Sequence, residues 1–146
     1  RCGRMKILVA TDGSKYALRA VKYAAKLIAL LQPASHSITL ISVHDNTGMR
    51  IANSILGSED VIAYLHERST AELKAAMTFL KSAGIDHKSV IRTGHIAQEI
   101  VKFAKEGKFD LVVLGSKGRS AIVDILVGSV AQRVLATALQ PVVLVK

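Results

Sequence analysis

Between Asp110 and Ser129 the chain reads DLVVLGSKGRSAIVDILVGS, an apolar strand that runs straight into Gly115, Gly118 and, after nine further residues, Gly128-Ser129. Glycines allow close approach of the backbone and positive φ, so successive N–H groups can converge on phosphate oxygens. A helix opening near Ser129 adds unpaired amides and the positive end of its dipole. The stretch reads as an anion cradle at the carboxyl end of a strand, and the ligand that suits it best is a nucleotide.

The rest of the chain supplies the sheet that such a unit needs. Met5 to Thr11 is a nearly continuous apolar run ending in Asp-Gly-Ser, a buried strand followed by a tight turn and a helix N-cap at Ser14. The helix runs to about Leu31, with Ala17, Val21, Ala24, Ile28 and Leu31 on one face and Lys15, Arg19, Lys22 and Lys26 on the other. Ser37 to Val43 is the second strand, and residues 44–58 form a long polar loop with one helical turn near Met49 to Ile55. Ser58 starts a second helix whose stripe of Ile62, Leu65, Leu73, Ala76, Met77 and Leu80 leads to a C-cap at Gly84. His87 to Arg92 is a third, more polar strand suited to a sheet edge. A helix from about His95 to Lys105, closed by Gly107, buries Ile96, Ile100, Val101 and Ala104. Leu111 to Leu114 is the fourth strand, the last helix lies within Val127 to Leu139, and Val142 to Val145 is the fifth strand.

The pattern βαβαβαβαβ predicts a single α/β domain over residues 5–146, preceded by a tail of residues 1–4, with a parallel sheet, right-handed crossovers and helices on both faces. Half of the residues are hydrophobic but only 4% are aromatic, so Ala, Val, Leu and Ile must fill the core, as parallel sheets require. Apolar runs fall far short of the ~20 residues that span a bilayer. The opening Arg-Cys-Gly-Arg leads into a strand rather than a signal-peptide pattern, which points to a cytoplasmic protein. Cys2 is the single cysteine and has no partner for an intramolecular disulfide.

The net charge of +9 is unevenly spread: residues 1–40 carry +6, residues 41–80 carry −2 and residues 81–146 carry +5. The excess sits in the segments that hold the first strand and the glycine cradle, where it would attract a polyphosphate. Neither a run of consecutive basic residues nor aromatic interleaving is present, so nucleic acid is the lesser reading. His36, His44, His66, His87 and His95 are scattered without ligand spacing. There is no P-loop GxxxxGK[ST] and no GxGxxG after the first strand. A receiver domain would need an acceptor Asp after the third strand, where the chain has Ile91-Arg92-Thr93-Gly94.

The spacing Gly115-x2-Gly118-x9-Gly128-Ser129 resembles the signature of the universal stress protein family, in its ATP-binding branch. VATDGS at 9–14 and QPVVLVK at 140–146 resemble that family's first and last strands, and the resemblance covers nearly the whole chain from Met5. It implies the strand order 3-2-1-4-5, which makes strands 1 and 4 neighbours and sets Asp12 and Gly115 beside the switch point where open α/β sheets bind ligands. It implies ATP, or another adenine nucleotide, with magnesium. Ala10, Thr11 and the backbone of Val43 would line the base, while Asp12 would contact ribose or a phosphate-bound magnesium ion. Gly115, Ser116, Gly118, Gly128, Ser129 and Val130 would contact phosphate or ribose. Lys117 and Arg119 are cations in the same loop. Taken alone, Asp12 is equally well an Asx-turn residue that starts the first helix. The order also leaves Val142–Val145 at a sheet edge, and many family members dimerise through that strand, so a homodimer is expected. The function implied is a nucleotide-binding module in stress response. A slow ATPase is the alternative, although no water-positioning group can be named. A nucleotide-free scaffold is a further one, against which the intact glycines argue.

Overall fold

The computed structural model describes residues 4–31, 36–45, 57–118 and 127–146. The order along the chain is β1 (Lys6–Ala10), α1 (Lys15–Leu30), β2 (Ser37–Asp45), α2 (Ser58–Ser82), β3 (His87–Gly94), α3 (Ile96–Glu106), β4 (Leu111–Gly115), α4 (Ser129–Thr137) and β5 (Val142–Val145). All strand pairs are parallel and the sheet order is β3-β2-β1-β4-β5.

Alternation along the strands divides the core in two. On one face Ile7, Val9, Ile38, Leu40 and Val113 meet Ala20, Val21 and Ala24 of α1 and Leu73, Ala76 and Leu80 of α2. On the other, Leu8, Ile41, Val112 and Leu114 meet Ala97, Ile100 and Ala104 of α3 and Ala131 and Val134 of α4. Full burial of a side chain such as Leu80 or Ile100 is worth about 1.5–3 kcal/mol over leaving it exposed. The alanines on α1 let that helix lie close against the central strands. At the amino end of the sheet, Asp110 Oδ2 accepts the Lys6 N–H at 2.8 Å and the Asp110 N–H donates to the Lys6 C=O at 2.9 Å, which stitches β1 to the start of β4.

Three expectations are corrected. Strand β2 continues to Asp45 and β3 to Gly94, because the register carries on through His44↔Thr93 and Asp45↔Gly94. His44 and Asp45 are therefore strand residues, and the rest of the 44–58 loop through residue 56, where the helical turn was expected, lies outside the described residues. Met77 is 37% exposed and leaves the stripe, which continues through Leu73, Ala76 and Leu80. Gly107 closes α3 as the sequence indicates, at φ −82°, and the left-handed position falls on Lys108 at φ 52°. Ser14 caps α1 as the sequence indicates, its hydroxyl accepting the Ala17 N–H at 3.2 Å.

Candidate functional site

The site begins where two neighbouring strands end. The β1–β2 ladder stops at Ala10↔Ile41, after which the Thr11 N–H still donates to the Ile41 C=O at 2.9 Å. The chain then turns through Asp12 and Gly13 into α1. Gly13 has φ +79°, a conformation that favours glycine, and Asp12 Oδ1 accepts the Ser14 N–H at 2.9 Å. The turn reading of Asp12 is thus realised by one carboxylate oxygen. The other, Oδ2, lies beside the loop after β4: a Cβ built on Gly118 would lie 2.9 Å from it. Asp12 serves the turn and borders the glycine loop at once.

Beyond Gly115 the loop is stitched on both sides. The Ser116 N–H donates to the Val145 C=O at 2.8 Å, and the Ser116 C=O accepts the Gly128 N–H at 2.6 Å, which brings the start of α4 against the end of β4. Ser116 is buried, and with its amide committed to β5, what it can offer a ligand is its hydroxyl. The first intrahelical bond of α4 runs from the Gln132 N–H to the Gly128 C=O, so the amides of Ser129, Val130 and Ala131 have no acceptor within the helix. Gly128 is the N-cap and gives no side-chain cap. These three donors and the helix dipole are the anion-attracting element of the site.

The glycines earn their positions differently from the sequence expectation. Gly115, Gly118 and Gly128 all lie outside the left-handed region. Gly115 is required by packing, because a Cβ would fall 2.8 Å from the backbone carbonyl carbon of Tyr16 in the first turn of α1. At Gly118 a Cβ would press on the Asp12 carboxylate, whose Oδ2 would have to shift. At Gly128 a Cβ would find ordinary contact, 3.5 Å from Lys117 Cα, so that position has room that a ligand could use.

The base-lining candidates lie at or near the carboxyl ends of β1 and β2. Thr11 is buried, with its Oγ1 accepting the Gly13 N–H at 3.3 Å. Ala10 and Val43 are half-buried, and their side chains pack on the α3–α4 core, the bland role their sequence allowed. The backbone of Val43 is more telling. Ile41 directs its C=O toward β1, and by strand alternation Val43 directs its N–H and C=O the same way, past the end of β1. Arg119 lies outside the described residues.

Two features were not read from the sequence. Tyr16 is ringed by cations: Lys15 Nζ lies 5.4 Å from its ring centroid, Arg19 Cζ 5.2 Å and Lys117 Nζ 5.9 Å. On the α2 side of β2, the buried His44 pairs through Nε2 with the fully buried Ser69 hydroxyl, and Ser42 donates to Glu72 at 3.1 Å, which also holds Arg68 at 3.2 Å. The signal for the second lay in the alternation itself, since Ser42 and His44 continue the face of Ile38 and Leu40 once the strand is extended.

The comparisons with known proteins agree with this fold. A family model described as the universal stress protein family matches residues 3–146. A universal stress protein of Methanocaldococcus jannaschii is 33% identical over 142 residues, covering 97% of this chain and 81% of its own. A solved structure of another protein of that organism superposes with a TM-score of 0.83 at 28% identity, over 97% of this chain and 94% of the other. Two similar structures carry nucleotides. A universal stress protein in complex with cAMP has TM-score 0.68 and 27% identity over 97% and 95% of the two chains. The Archaeoglobus fulgidus universal stress protein in complex with dAMP has TM-score 0.66 and 25% identity over 97% and 98%. With the family model spanning nearly every residue and the same strand order in its fold, the chain belongs to the universal stress protein family.

Proposed function

We propose that this chain is a stress-response regulatory protein that binds ATP at the switch point between β1 and β4. The observation that carries the reading is the convergence, beside the ends of these two strands, of the Asp12 carboxylate, the side-chain-free approach at Gly118 and the first-turn amides of α4, which have no acceptor within the helix. In this reading Ala10, Thr11 and the Val43 backbone receive the adenine. Gly115, Ser116, Gly118, Arg119, Gly128, Ser129 and Val130 surround ribose and phosphates. The cAMP and dAMP complexes of related proteins support the adenine nucleotide. The Gly-x2-Gly-x9-Gly-Ser spacing supports ATP among such nucleotides.

The donor set suits magnesium held chiefly by phosphate oxygens. Among the described residues no group of three His, Cys, Asp or Glu could hold a metal ion, whereas a magnesium ion that keeps its waters and binds through phosphates needs little more than the Asp12 carboxylate. Binding is favoured over turnover because phosphoryl transfer needs a group that orients water, and Asp12 is already tied to the α1 turn. The protein would act in the cytoplasm as a homodimer through β5, reporting nucleotide occupancy to partners. Among the described residues no helix is long and apolar enough to cross a membrane.

Mass spectrometry of ligand released from freshly purified protein, followed by calorimetry of the emptied protein with ATP and magnesium, tests the reading. An adenine nucleotide released and rebound stoichiometrically is the expected result. Failure to bind any adenine nucleotide overturns it.

A further inference from the structure

We propose that Lys15, Arg19 and Lys117, gathered around Tyr16, form a recognition ridge for the outer phosphates of a nucleoside triphosphate, on the α1 side of the glycine cradle. The inference rests on the nucleotide reading above and specifies which nucleotide the site prefers. Lys15 and Arg19 are one helical turn apart on α1, and Lys117 arrives from the loop after β4, so three cationic groups meet at one ring, between 5.2 and 5.9 Å from its centroid. A neutral aromatic face orients cations without cancelling their charge. Among the described residues none of the three forms an ion pair, in contrast to Arg68, which is held by Glu72. Like charges brought together in this way repel one another until an anion relieves them.

The location gives the charge its meaning. Gly115 is bare because the first turn of α1 sits directly on it, and that contact carries Tyr16 and its cations to the loop containing Lys117 and Gly118. The ridge therefore borders the cradle on the α1 side, while the α4 amides border it on the other. The added phosphates of a triphosphate bring the ridge more negative charge than a monophosphate does. A triphosphate chain can engage both the ridge and the amides.

Calorimetry with ATP, AMP and inorganic tripolyphosphate on the parent protein, a Lys15→Gln/Arg19→Gln variant and a Lys117→Gln variant tests the ridge. Lys15 and Arg19 are exposed, and circular dichroism checks that the fold is kept. The ATP-to-AMP affinity ratio of the parent should fall about tenfold in the double variant, about 1.4 kcal/mol, with AMP affinity unchanged and tripolyphosphate binding lost. Lys117→Gln should move the ratio the same way. Equal ATP-to-AMP ratios in parent and variants overturn the ridge and leave the adenine reading intact. Tripolyphosphate binding that depends on Lys15 and Arg19, in a parent that binds neither AMP nor ATP, supports the ridge and overturns the adenine reading instead.

Discussion

Asp12 Oδ1 accepts the Ser14 N–H while Oδ2 borders the glycine loop, and a change of one atom tests what the charge adds. Asp12→Asn keeps an acceptor for the Ser14 N–H but loses the charge, so folding should persist while magnesium-dependent ATP affinity falls more than metal-free affinity. Calorimetry with and without magnesium reads the difference, and equal losses would assign the carboxylate to ribose. Gly128 offers a sharper separation. Its φ of −69° and ψ of 163° suit an N-cap serine, and a Cβ there meets nothing closer than 3.5 Å. Gly128→Ser should therefore gain a few tenths of a kcal/mol by capping the α4 amides. The same hydroxyl would occupy donors needed by phosphate. The expected outcome is a slightly higher melting temperature with weaker nucleotide binding, and a variant that binds ATP as well as the parent removes α4 from the site. Gly118→Val should lose affinity for a different reason, since its Cβ would press on Asp12 Oδ2. That glycines mark the loop was legible in the sequence; that each is bare for its own reason, approach at Gly118 and packing at Gly115, was not, because the neighbours responsible are about a hundred residues away in the chain.

Among the elements, α1 and β4 are the pair on which the site depends. Their closeness is set at Gly115, where a Cβ would stand 2.8 Å from the Tyr16 backbone, a contact that a rotamer change cannot relieve. Gly→Ala at a compatible position stabilises by about 0.4–1 kcal/mol through the unfolded chain, but overpacking against backbone costs about 1–3 kcal/mol. The cost wins. Gly115→Ala should lower the melting temperature by about 2–4 °C for each kcal/mol lost and weaken ATP binding as Tyr16 and its cations move away. A variant with unchanged stability would mean that α1 yields freely. The five strands and their parallel arrangement were readable because apolar runs and helical stripes alternate so regularly. Lys15 and Arg19 were read only as the solvent face of α1, as their spacing from Val21 and Ala24 dictates. Nothing local links them to Lys117, and their meeting at Tyr16 exists only once β4 lies beside β1. The length of β2 was misjudged for a related reason: His44 looks like a loop residue until Ser69 of α2 supplies a buried polar partner.

At the scale of the whole molecule the unsolved surface is the edge beyond β5. All four residues Val142–Val145 are apolar and half-buried, β4 covers one side of the strand, and β5 ends the sheet order. The segment leading to it also exposes Leu135 at 47% and Leu139 at 74%. An apolar edge of this kind invites pairing, and a twofold contact between two copies closes on itself where a head-to-tail one would propagate. The backbone identifies which groups would pair. The C=O groups of Pro141 and Val145 accept from Val112 and Ser116 of the β4 segment, so alternation turns the amides of Val142 and Leu144 outward and those of Val143 and Val145 inward. We therefore expect a dimer by light scattering at micromolar concentration. Hydrogen exchange at Val142 and Leu144 should slow as protein concentration rises, with no such change at Val143 and Val145. This readout avoids core substitutions, which would be ambiguous because Val143 and Leu144 pack against opposite faces of the sheet. A monomeric mass together with concentration-independent exchange at Val142 and Leu144 would remove β5 from any self-association.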